Sequence, residues 1–216
     1  MWAALNDSRT RWGDADIFIT KHGWVGALTL PRVLSLDKNN EPSMKPAEEL
    51  RTLRTNHFQK KNLTVKDSEL RIDDIQGNDL ELDATIAPQG AKQFGTQVCC
   101  APDGSEQTTI VYNSKEEVVC VDLSRTSLDK SLTEGFYEDH DYKQEAELKL
   151  KPNETLNLHV FLDRSVMEAF VNNRLCLTHR IYPTRDDGKG VAFFARGGAI
   201  RIPKLDAWKM HPSNPW

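Results

Sequence analysis

Leu80-Glu81-Leu82-Asp83-Ala84-Thr85-Ile86 alternates apolar and polar side chains with a period of two. Successive side chains of an extended chain point to opposite faces, so this stretch reads as a β-strand with one face on a core and one in water. Outward from it, Leu156-Asn157-Leu158-His159-Val160-Phe161-Leu162 repeats the pattern, and so does Ala146-Glu147-Leu148-Lys149-Leu150. Thr109-Ile110-Val111-Tyr112 and Val191-Ala192-Phe193-Phe194-Ala195 are short β-rich runs. Turn residues separate them: Pro88-Gln89-Gly90, Pro102-Asp103-Gly104, Lys151-Pro152-Asn153, and Asp186-Asp187-Gly188, which reads as a hairpin turn. Met167-Glu168-Ala169-Phe170-Val171 and Leu175-Cys176-Leu177-Thr178 flank Asn172-Asn173, and asparagine tolerates the positive φ that a primed turn needs. Short strands with turns at this spacing predict an all-β fold, an antiparallel sandwich or barrel.

Only Pro46-Ala47-Glu48-Glu49-Leu50-Arg51-Thr52-Leu53 reads as helix. Its proline fits a first turn that needs no N–H, and its acids lie at the positive end of the dipole. The beginning of the chain differs from the rest. Trp2, Trp12 and Trp24 precede an apolar run, and Asp37-Lys38-Asn39-Asn40-Glu41-Pro42 is a polar turn or linker. A boundary is expected near residue 55.

The 216 residues carry 28 basic and 32 acidic side chains, a net charge of −4, which argues against nonspecific nucleic-acid binding. Apolar residues make up 38% and charged ones 28%, an ordinary composition for a folded domain. No run is long and apolar enough to span a bilayer, and the first residues lack the pattern of a signal peptide. The four cysteines form no C-x-x-C pair and the six histidines are scattered, so no zinc site is indicated. Cys120 lies in an apolar run and reads as a buried thiol. Calcium takes six to eight oxygen ligands, and the acidic stretch Glu134–Asp141 lacks the D-x-D-x-D-G pattern, so no cofactor is expected.

Two stretches carry a family resemblance. Gly23-Trp24-Val25-Gly26-Ala27-Leu28-Thr29-Leu30-Pro31-Arg32 resembles the W-x-G-x-x-(S/T)-x-P-R segment that closes the catalytic propeller of glycoside hydrolase family 32, the family of invertases, inulinases and levanases. Phe161-Leu162-Asp163-Arg164-Ser165-Val166-Met167-Glu168-Ala169-Phe170 resembles that family's D-x-S-x-x-E-x-F signature, and Arg180-Ile181-Tyr182-Pro183 follows at the family's usual distance. The resemblance implies a five-bladed propeller followed by an antiparallel β-sandwich of jelly-roll or concanavalin-like type. Residues 1–36 would be remnant strands of the last blade, 37–55 a linker with a short helix, and 56–216 the sandwich.

Retaining glycoside hydrolysis needs two carboxyl groups about 5 Å apart. In the family these come from N-D-P-N, R-D-P and E-C motifs. Asn6-Asp7 shares only the N-D pair, Arg185-Asp186 lacks the proline, and no Glu-Cys pair occurs. The chain is therefore expected to be a non-catalytic C-terminal piece, an excised module or a truncated gene product. Its role would be structural support or weak fructan binding; the alternatives are a binding module for another polysaccharide or a free-standing hydrolase. The resemblance also implies an extracellular or periplasmic setting, and an apolar face, left without its propeller, that would drive self-association.

The candidate sugar site comprises Asp163, Arg164 and Glu168, with Arg180, Tyr182 and Arg196 nearby in sequence or across the hairpin. Carboxylates and guanidinium groups would bind sugar hydroxyls, and the competing reading is a salt bridge or strand-end cap. Tyr182 and Trp208 would stack on a sugar ring or else pack between domains.

Overall fold

The computed structural model describes residues 1–5, 26–129 and 142–213. Trp12, Trp24, the start of the Gly23–Arg32 segment and the acidic stretch 134–141 lie outside them. Four short strands open the described chain: β1 (Ala4–Leu5), β2 (Ala27–Leu28), β3 (Arg32–Leu36) and β4 (Pro42–Pro46). They pair as two small antiparallel sheets, β1 with β2 and β3 with β4. The polar stretch after β3 is a turn: Asp37 Oδ1 accepts the N–H groups of Asn39 (2.7 Å) and Glu41 (2.9 Å), closing the β3–β4 hairpin. The helix follows as a 3-10 turn, Glu48–Leu53, rather than as an α-helix. Pro46 is not in its first turn. It ends β4 opposite Arg32, where a terminal strand position tolerates a missing donor.

Twelve further strands follow: β5 (Arg54–Lys66), β6 (Glu69–Gln76), β7 (Asp79–Gln89), β8 (Gln93–Cys100), β9 (Thr108–Asn113) and β10 (Val118–Asp122), then β11 (Lys143–Glu147), β12 (Leu156–Asp163), β13 (Val166–Val171), β14 (Leu175–Arg180), β15 (Gly190–Arg196) and β16 (Ala199–Met210). Sheet one runs β11-β10-β9-β8-β15-β6 and sheet two β14-β13-β12-β7-β16-β5, both antiparallel. The inward side chains of the two sheets form one core, with Phe94, Ile110, Leu158, Val160, Phe193 and Leu205 fully buried. Of the sandwich and the barrel that the alternation allows, the structure is the sandwich, as the family resemblance implies.

The Asn172-Asn173 turn has φ of +49° and +55°, and Arg174 N–H closes it on the Val171 carbonyl at 2.9 Å. The Asp186-Asp187-Gly188 turn is not part of a hairpin. It lies on the connection that leaves β14 in sheet two and enters β15 in sheet one. Residues 88–90 and 151–153 likewise stand where the chain passes between sheets. A turn residue reports that the chain reverses, and the core decides which sheet receives it. Strand β11 ends at Glu147, so Leu148 is buried in the crossing that follows rather than in the strand. Cys120 is buried, and burial pushes its thiol up to about 12.

Candidate functional site

On sheet two the alternation fails in one respect that decides the site. Glu81, on the strand face expected in water, is 1% exposed, and Glu168 is equally covered. Their sheet face carries a cross-strand row, Thr178–Glu168–Phe161–Glu81–Trp208, on β14, β13, β12, β7 and β16. Residues 27–53 lie over this row. Leu50 of the 3-10 helix packs with Phe161 and Phe170, joined by Leu30 and Met44.

A buried acid needs partners that replace its water. Glu168 Oε1 accepts the Leu30 N–H at 2.5 Å, and Oε2 pairs with the Arg32 guanidinium at 2.5 Å. Arg32 also donates to Thr178 Oγ1 at 2.6 Å and lies 5.7 Å from the Phe170 ring centroid. Arg32 comes from the Pro-Arg end of the first family-like segment and Glu168 from the second. The two motifs, 136 residues apart, are thus joined by one buried ion pair.

The neighbouring acid is held in the same way. Arg54 donates to Glu81 at 2.7 and 2.5 Å, and His159 Nε2 meets Glu81 Oε1 at 2.5 Å. Burial alone would raise the Glu81 carboxyl, but these hydrogen bonds outweigh it and lower it. The Glu81 carboxylate in turn raises Arg54. At the β16 side, Asp206 bonds Lys204 (2.9 Å), Gln59 (2.9 Å) and His57 (2.7 Å). Burial pushes the Asp206 carboxyl upward, but the bonds from Lys204, Gln59 and His57 bring it down to about 2.

The structure does not gather the seven expected site residues into one pocket. Asp163 and Arg164 are exposed at the β12–β13 turn, where Arg164 has φ +51° and donates its N–H to Asn78 at 2.6 Å. Glu168 lies under residues 30–32. Arg180 donates to the Tyr182 hydroxyl at 3.0 Å with its guanidinium 4.8 Å from that ring, and both residues are buried. Trp208 is stacked on His57 at 4.8 Å and carries the Arg54 guanidinium at 3.9 Å. Its indole is engaged by its own chain. Arg196 ends β15 in the other sheet. Sequence reasoning missed Glu81, Arg54, His159 and Asp206. Nothing in a single alternating strand marks Glu81 as covered, whereas Arg32 stood in plain view at the end of a motif.

These groups set an acid limb. Inside the sandwich, burial lowers His179 from its ordinary 6.5 to about 4, and its Nε2 has no hydrogen-bond partner among the described residues. A depressed folded pKa means that stability is fully present above the ordinary value and is lost as pH falls. Stability is expected to be flat between pH 7 and 6.5, to decline towards pH 4 as unfolding lets His179 charge, and to decline again towards pH 2 as Asp206 takes up a proton, with the lowered Glu81 carboxyl adding to the acid loss. Urea midpoints from pH 7 to 2 check this, and Asp206→Asn should flatten the lower stage. A midpoint constant over the whole range would contradict it.

Residues 49–209 match the family model described as glycosyl hydrolases family 32 C terminal. The chain is 28% identical to fructan 1-exohydrolase w2 of Triticum aestivum and 29% identical to fructan 1-exohydrolase of Hordeum vulgare. Each match covers 87% of this chain and 38% of the relative, so the chain spans well under half the length of these enzymes. Its fold is that of part of fructan 1-exohydrolase IIa from Cichorium intybus, with a TM-score of 0.81 at 22% identity over 99% of this chain and 45% of that one. On the family model, over most of its length, this chain belongs to the C-terminal domain family of the family 32 glycosyl hydrolases.

Proposed function

We propose that this chain is the non-catalytic C-terminal portion of a fructan-cleaving hydrolase, and that the covered face of sheet two braces the catalytic portion. One observation carries the reading: the buried Arg32–Glu168 pair, which locks the propeller-like segment onto the sandwich. The names of the relatives support fructan as the substrate of the whole enzyme, and a variant of the Cichorium intybus enzyme has been solved in complex with 1-kestose. The acids of this face are engaged by Arg32, Arg54, His159 and Lys204, which suits a clamp better than proton transfer.

The outer side of the clamp is apolar. Leu28, Val33, Leu34, Leu36 and Trp2 are each more than half exposed. Leu34 and Leu36 line a hollow of about 380 Å³ with Pro42, Met44 and Arg174. Apolar surface of this kind marks a contact area. The purified chain is expected to release no fructose from sucrose, inulin, levan or 1-kestose. Its light-scattering mass should rise with concentration, and Leu34→Glu with Leu36→Glu should suppress the rise. Fructose release would overturn the non-catalytic reading, and a strictly monomeric mass would overturn the apolar contact.

A further inference from the structure

Residues 27–53 cover the outer face of sheet two, but the outer face of sheet one carries a groove of about 340 Å³. Strand register explains its shape. The middle cross-strand row reads Phe194–Gly95–Val111–Cys120–Glu145 on β15, β8, β9, β10 and β11. This row is apolar for four strands, but Phe194 and Cys120 are buried at 3% and 5% exposure, so Val111 is its most accessible apolar side chain. It dips at Gly95, because the backbone of β9 leaves no room there: a Cβ would stand 1.9 Å from the Ile110 carbonyl oxygen.

Polar rows flank this floor. On one side stand Arg196, Gln93 and Asn113, opposite one another on β15, β8 and β9. On the other side stand Thr109, Asp122 and Lys143. Strands lie about 4.8 Å apart, so a floor crossing five of them is about 19 Å long. That is longer than a single sugar ring.

We propose that this groove on sheet one is a binding site for a neutral oligosaccharide. A trough between two accessible rows of hydroxyl, amide and charged groups matches the hydroxyl edges of a sugar chain. Arg196 sits over the Phe194 ring at 5.1 Å, which orients its donors along the floor. Among the described residues its guanidinium pairs with no carboxylate and the Gln93 side chain beside it makes no hydrogen bond, so both have donors to give. Three acids (Glu116, Asp122, Glu145) and three bases (Arg125, Lys143, Arg196) line the groove. The balance favours an uncharged ligand over a phosphate or a nucleic acid. A peptide that extends a sheet needs an edge strand. A stable protein partner needs about 800 Å² per side, far more than one row of apolar groups supplies. The proposal stands apart from the brace, which uses the other sheet.

The test is affinity electrophoresis of the full chain in gels containing inulin, levan or dextran, with binding expected at about a millimolar. Retardation is expected with at least one polymer. Arg196→Ala and Gln93→Ala should each weaken it tenfold or more without lowering the melting temperature, and Asp163→Ala on the other sheet should leave it intact. Amide shifts of the unsubstituted protein titrated with 1-kestose or maltotetraose give a second readout, expected on β8, β9 and β15. No retardation on any gel would overturn the proposal. So would retardation that survives both groove substitutions, or amide shifts confined to sheet two.

Discussion

Glu168→Ala is expected to free residues 26–46 from sheet two and to cost about 3–5 kcal/mol of stability, the usual penalty for removing one partner of a buried ion pair. The size follows from burial: the side chains are 9% exposed for Arg32 and 2% for Glu168. Without the acid, the Arg32 guanidinium stays in an apolar setting with the Thr178 hydroxyl and the Met44 sulfur as its acceptors among the described residues, and the Leu30 N–H loses its acceptor. Glu168→Gln keeps the volume and an acceptor oxygen, so it should cost less. Guanidinium chloride unfolding measures the loss. Hydrogen exchange of the Leu30 and Met44 amides separates local release from global unfolding, since Met44 N–H is bonded to Asn173 at 2.8 Å. Arg32→Ala combined with Glu168→Ala should cost much less than the sum of the two single changes, because each alone strands its partner. Additive costs, or wild-type protection of both amides in Glu168→Ala, would remove the clamp from the account.

The second large effect lies where the chain crosses from β14 in sheet two to β15 in sheet one. Glu106 is fully buried, and its carboxylate accepts the N–H groups of Leu128 (2.9 Å), Thr184 (2.9 and 3.0 Å) and Arg185 (3.0 Å), together with the Thr184 hydroxyl at 2.8 Å. One side chain therefore ties three connections: the β8–β9 turn, the loop after β10 and the crossing from β14 to β15. Leaving a buried N–H without an acceptor costs about 1–3 kcal/mol. Several are stranded at once in Glu106→Ala, so a loss of about 3–5 kcal/mol is expected. Glu106→Gln should recover only part of it, because an amide NH2 would face N–H donors. Urea unfolding gives the total, and exchange at Leu128, Thr184 and Arg185 shows where protection is lost. A midpoint within experimental error of wild type for Glu106→Ala would refute the argument. Arg185, pinned by Asp187 at 2.7 Å and Asp103 at 2.8 Å, braces the same junction from outside.

Both predictions concern acids with nothing unusual about them in the linear chain. Glu81 and Glu168 occupy alternating positions where a solvated carboxylate is the ordinary expectation. Glu106 follows a Gly-Ser pair and reads as part of a polar turn. The hairpin at Asn172-Asn173 was legible because a primed turn is a local demand on two φ angles. The inter-sheet crossings were not, because the same turn residues serve either kind of connection. The expected sugar site grouped Arg196 with Glu168 on sequence nearness and an imagined hairpin. Register puts them on different sheets, and the open face with donors to spare is the one that holds Arg196.

Periodicity, turn chemistry and the two motifs determined, from the sequence alone, that this is an antiparallel sandwich with a family 32 signature. Those signals are local: each depends on neighbours within a few residues, where backbone geometry sets which side chains share a face. Only the tertiary structure decided which second face is wet. That depends on whether a distant segment lies over it, and here the answer rests on Arg32 reaching Glu168 across 136 residues of chain. Period-two alternation counts one buried face; the burial of the other is a property of the packed whole, and so is the work those buried charges do.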